Sequence, residues 1–158
     1  MIYLLDANVL IEAHETYYPI DRVPQFWEWI HSMAEKDRIK MPLEIYNEIA
    51  GSTGDLKDWI SESTTKKALV LKEGPNPVLV RQVLDLGYAD NLTDSELEKI
   101  GQDGFLIAYA LADHNGRTVV TKETPRPTAE RANRKIPDVC DSLGVNWMRD
   151  FDMFKLLK

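Results

Sequence analysis

Apolar positions are arranged in two ways along the chain, and each arrangement predicts a different element. Short stretches centred on apolar residues occur at Ile2-Tyr-Leu-Leu5, Thr118-Val-Val-Thr121 and Val145 to Met148. Stretches of this length with little alternation predict strands covered on both faces, as in a parallel sheet. Leu69-Val-Leu71 is a further, shorter candidate. Longer segments repeat with helical spacing. Pro24 to Glu35 sets Phe26, Trp27, Trp29, Ile30 and Met33 on one broad face, with Pro24 suited to a first turn. Residues 42–50 turn Ile45, Tyr46 and Ile49 inward and stop at Gly51-Ser-Thr-Gly54. Asp55 to Ser63, Val78 to Leu86, Ile136 to Leu143 and Phe151 to Leu157 predict further helices.

Thr93-Asp-Ser-Glu96 matches a capping box, in which Glu96 reaches back to the cap, and the helix it starts falters at Gly101. Residues 103–113 are apolar nearly all round before Asn115-Gly116 stops them, which predicts a central buried helix. The Arg-rich stretch containing Pro125 and Pro127 reads as a loop. Strands alternating with helices predict the α/β class with a mostly parallel sheet. The chain of 158 residues shows no repeat and no linker, so one domain over 1–158 is expected.

Composition narrows the setting. A 44% hydrophobic and 28% charged chain of this length builds a core without staples. No apolar run approaches the roughly 18 residues of a membrane span, so no membrane partner is expected. Met1-Ile-Tyr-Leu-Leu-Asp6 has neither a basic leader nor a small-residue cleavage site, so no secretory signal is expected. The single cysteine, Cys140, excludes an internal disulfide and a cysteine-rich zinc site, and a reducing cytoplasm fits it. It lies in a short apolar helix and reads as a small core residue. His14, His31 and His114 show no paired metal spacing. The net charge of −7 argues against nucleic-acid binding through bulk electrostatics. Its distribution is uneven: residues 117–135 hold six basic and two acidic residues, a local +4 that leaves −11 on the rest. Within that segment Arg126, Arg131 and Arg134 are candidates for phosphate contact.

Four acids stand out by position. Asp6 follows the first buried strand, Glu48 lies on the 42–50 helix, Asp103 opens the apolar helix, and Glu123 follows the second strand just after Thr121. Strand ends and helix starts are places where side chains can converge at one edge of an open α/β sheet, the edge where ligands bind. Close carboxylates raise one another's pKa and either take protons or hold a cation. An oxygen-only set suits Mg²⁺ or Mn²⁺, which generates hydroxide and stabilises a phosphoryl oxygen. Phosphodiester hydrolysis is the natural reaction.

Leu5-Asp-Ala-Asn-Val-Leu-Ile11, Glu48, Asp103 and Thr121-Lys-Glu123 together resemble a PIN domain, the nuclease module of VapC-type toxins, in order and in element type. Ile136-Pro-Asp-Val-Cys140 resembles a further PIN-like subgroup. The resemblance implies a three-layer α/β/α fold and Mg²⁺- or Mn²⁺-dependent RNA cleavage. It also implies an antitoxin partner that masks the site, and often a homodimer. On that basis Asp6, Glu48 and Asp103 bind the first metal and Glu123 completes the site. Thr121 bonds the attacking water or a carboxylate, Asn8 orients Asp6, and Asp138 is a candidate outer ligand. Glu123 departs from the Asp usual at its position. An inactive PIN-like binding module is the alternative. A haloacid-dehalogenase-like phosphatase needs a second Asp two residues after the first, where this chain has Asn8.

Overall fold

The computed structural model describes residues 1–157. Its sheet has four strands, β1 (Ile2–Leu5), β2 (Ile39–Lys40), β3 (Arg117–Thr121) and β4 (Asn146–Arg149), all parallel in the order β2-β1-β3-β4. Helices cover both faces, giving the three-layer α/β/α arrangement. They are α1 (Ala7–Glu12), α2 (Pro24–Glu35), α3 (Leu43–Ala50), α4 (Asp55–Ser61), α5 (Ser63–Leu69), α6 (Pro77–Gln82), α7 (Asp94–Ile100), α8 (Asp103–Leu111), α9 (Ile136–Leu143) and α10 (Asp150–Leu156). Burial explains the unbroken apolar strands: Tyr3, Leu4 and Leu5 are all buried, as are all five residues of β3.

The chain leaves β1 towards β2 on one side, then returns past β1 to place β3 on the other. The C-terminal ends of β1 and β3 therefore flank the topological switch point, where the crossovers part and leave a crevice. Register fixes what stands there. Leu5 pairs with Val120, the Asp6 amide donates to the Val120 carbonyl (2.9 Å), and Thr121 ends β3 one residue further on.

Most predicted elements are present, with differences that have local causes. The 69–71 strand is not formed: Leu69 ends α5, and Val70 makes only an isolated parallel bridge with Met41. The strand in its place, β2, is two residues long and carries Lys40. That ammonium is buried, donating to the Ala34 and Ala68 carbonyls (3.1 and 2.6 Å) and pairing with Asp37 (2.9 Å). The 55–63 helix is divided where Glu62 takes extended backbone. The 78–86 helix starts at Pro77 under an Asn76 cap and passes into a π-helical segment, Val83–Tyr88. A second π-helical segment, Ala13–Tyr17, extends α1. The Thr93 capping box forms in full, and Gly101 leaves the helix at φ 57°. Cys140 is fully buried, and burial pushes its thiol pKa up, as expected of a core residue. Trp27 is likewise core, its indole donating to the Tyr18 carbonyl (2.7 Å). No helix among the described residues is long and apolar enough to cross a membrane.

Candidate active site

Asp6 directly follows β1, is only 6% exposed, and its carboxylate is held by two donors on one oxygen. The Thr121 hydroxyl and the Asn8 amide each donate to Asp6 Oδ2 at 2.9 Å. Asn8 in turn accepts the Lys122 amide on Oδ1 (3.1 Å), and the Glu123 amide donates to Thr121 Oγ1 (3.1 Å). Asn8 and Thr121 thus both bond the Asp6 carboxylate. Adjacent strand ends are clamped together through side chains 115 positions apart.

The other acids reach the same place from three elements. Burial, and then the charges of Glu123 and Glu48, push the Asp6 pKa up to about 7 against the opposing Thr121 bond. Asp103, half-buried at the first position of α8, is pushed up to about 8 by burial and then by Asp6, Glu123 and Glu48, with Lys135 opposing. Glu48 is exposed on α3 and is raised by partial desolvation. The four acids therefore share one electrostatic neighbourhood, drawn from residues 6, 48, 103 and 123.

They do not close tightly on one another. Among the described residues, no three His, Cys, Asp or Glu groups are close enough together to hold a metal ion. Glu123 Oε2 accepts the Ile136 amide at the start of α9 (2.7 Å), which ties it to that helix. Asp138 accepts the Arg126 amide (2.7 Å) and is not among the charges acting on Asp6 or Asp103. The donor chemistry nonetheless fits a hard dication. Every donor is oxygen, and two of the carboxyls are pushed towards protonation by burial and then by neighbouring acids, both of which a bound cation would offset.

The family described as Domain of unknown function (DUF4411) matches residues 3–158. The chain belongs to that family. No curated protein matches it.

In this DUF4411 chain the basic segment splits into engaged and free cations. Arg131 forms an ion pair with Glu96 (2.8 Å) and reaches the Asp90 and Asn91 carbonyls. Arg134 donates to the carbonyls of Gly87 and Asp138 and to Ser142 Oγ. Both hold the loop against α7 and α9. Lys122, between Thr121 and Glu123, pairs with buried Asp150 (2.8 Å) and lies over the rings of Tyr17 and Phe151, so its charge is absorbed there. Arg126 extends from the loop with an exposed side chain. Tyr88, Lys99 and Lys135, which the motif pattern does not single out, line the same cavity as Asp103 and Glu123. Only Lys135 had a sequence signal, as part of the basic run. Tyr88 had none, because it ends the π-helical segment beyond the predicted helix.

Proposed function

We propose that this chain is a Mg²⁺- or Mn²⁺-dependent endoribonuclease that hydrolyses RNA phosphodiester bonds, built on a PIN-like fold. The observation that carries the reading is that Asp6 and Asp103, buried at the C-terminal edge of the sheet, lie in the charge field of Glu48 and Glu123. Four carboxylates from distant parts of a chain are costly to gather unless they serve a cation.

Asp6, Glu48 and Asp103 would hold the ion, with Glu123 completing the set directly or through water. When bound, the metal supplies an acidified water and a Lewis acid for a phosphoryl oxygen. The chain's own part is to aim the acids. Thr121 and Asn8 fix the plane of Asp6 through Oδ2, and the α8 backbone presents Asp103 from its first turn. The substrate of such an enzyme is cytoplasmic RNA. An acidic body carrying −11 outside one basic segment suits a basic antitoxin, whose arginine would pair with the carboxylates. A homodimer fits the aromatic surface formed by Tyr17, Phe151 and Phe154.

The second reading is an inactive PIN-like binding module. It draws on the bond that ties Glu123 to Ile136 and on the open spacing of the acids. The phosphatase reading is weaker, because the position of its general acid holds Asn8, whose amide is spent on Asp6. Asp6→Asn separates the first two. Its carbonyl oxygen retains both donors, so the fold persists. The variant should lose Mn²⁺-dependent cleavage of a mixed RNA pool by at least about 10²-fold. Wild-type rates from a folded variant would remove the nuclease assignment.

A further inference from the structure

The cavity beside the carboxylates, about 610 Å³ in volume, has a second chemistry. Three acids, Asp103, Glu123 and Glu130, contribute to its lining, and so do four cations, Lys99, Arg126, Arg134 and Lys135. Lys99 meets only the neutral side chain of Asn133. Neither the Arg126 guanidinium nor the Lys135 ammonium has a hydrogen-bond or ion-pair partner among the described residues, and only the Arg126 backbone amide is engaged. Arg131 and Arg134, by contrast, are spent on the fold. A chain of net charge −7 thus sets three cations without a close ion-pair partner around one cavity, one of which, Lys135, also offsets the charge on Asp103. Cations left without a close partner are places where an anion is held.

Tyr88 points to the same ligand. It is only 6% exposed, and its buried hydroxyl has no partner. A buried donor without an acceptor is rare and marks a place where an acceptor arrives. Tyr88 lines the cavity together with Asp103 and Glu123. The apolar contribution to the lining is small, chiefly Ile100 and two alanines, so there is little surface against which a base would rest. What fits is a compact anion with several acceptor oxygens.

We propose that this cavity seats a backbone phosphate of the RNA strand, adjacent to the phosphate at the carboxylates. Lys99, Arg126 and Lys135 neutralise it, and the Tyr88 hydroxyl donates to it. That the anion belongs to RNA rests on the nuclease reading; the seat itself rests on the cavity and its unpaired donors.

The test uses the full chain and a fluorescein-labelled ten-nucleotide single-stranded RNA. Binding is measured by anisotropy in EDTA across a salt series. Arg126→Ala and Lys135→Ala should each weaken binding about three- to tenfold and reduce the salt slope by about 0.7, the loss of one single-strand phosphate contact. Tyr88→Phe, which preserves packing, should weaken binding about threefold with an unchanged slope, because the lost bond carries no charge. Arg131→Ala should bind like the wild type. The proposal is overturned if the wild-type chain does not bind at low salt, if Arg126→Ala and Lys135→Ala bind unimpaired, or if Arg131→Ala loses as much as they do. Reduced binding in those two variants, from a chain that never cleaves with Mn²⁺, would keep the seat and remove the nuclease. Unimpaired binding, with cleavage abolished by Asp6→Asn, would do the reverse.

Discussion

Asp6 has to satisfy two opposed demands: it accepts two hydrogen bonds that favour its ionised form, and it sits in a buried acidic neighbourhood that penalises that form. Burial and repulsion prevail, and its pKa rises to about 7. The consequence for stability has a definite sign. A carboxyl whose folded pKa lies above its unfolded value of 3.8 contributes most at low pH, and that contribution is lost as pH rises through about 7. Asp6→Asn cannot ionise. In metal-free buffer it should therefore gain stability over the wild type between pH 5 and pH 8, on the order of 2 kcal/mol. Urea melts of both proteins at the two pH values check this, and a constant difference would mean that Asp6 ionises freely in the fold. Asp6, Asn8 and Thr121 were legible in the sequence because strand ends mark themselves: an apolar run followed at once by a polar residue fixes where the side chain stands. Tyr88 was not legible. Nothing in a phenol's sequence context tells whether its hydroxyl will find a partner.

Elements whose pattern is local were legible almost to the residue, as with Pro24–Glu35 and Ile136–Leu143. Those shaped by their neighbours were not. β2 is too short for a periodic signal, and its Lys40 reads as surface until the Ala34 and Ala68 carbonyls are seen to receive it. The π-helical segment Val83–Tyr88 is a tertiary product too. A Cβ built at Gly87 would lie 2.6 Å from Val139 Cγ1 and 3.2 Å from Leu143 Cδ1, so α9 packs directly on its backbone. That approach positions Tyr88 one residue later. Gly87→Ala should force α9 away, destabilise the protein by about 1–3 kcal/mol and weaken RNA binding along with Tyr88→Phe. Thermal melts and the same anisotropy titration would register both effects. A variant as stable as the wild type would show that α9 yields freely.

At the scale of the whole molecule, the sheet order determines why distant acids meet at all. With β1 and β3 adjacent and their crossovers diverging, any polar residue ending either strand faces the same crevice, and α8 delivers Asp103 beside them. The class of fold was legible from the alternation of elements. The strand order was not, because it depends on which helix faces pack, and so the meeting of the acids could be inferred only from resemblance. Their open spacing gives a discriminating expectation. Under the proposed nuclease reading, a dication would draw these acids together, and metal binding would then stabilise the fold. At a Mn²⁺ concentration a hundredfold above its Kd, the gain is about 2.7 kcal/mol. For a chain of this length that is a rise in Tm of about 5–10 °C. The rise should be larger at pH 8 than at pH 5, since protons compete for Asp6 and Asp103 as their pKa values of about 7 and about 8 are crossed. Asp6→Asn should lose most of it. A scaffold that works only by association would melt at the same temperature with and without Mn²⁺ at both pH values, and that result would leave the gathered carboxylates to a partner's arginines rather than to a metal.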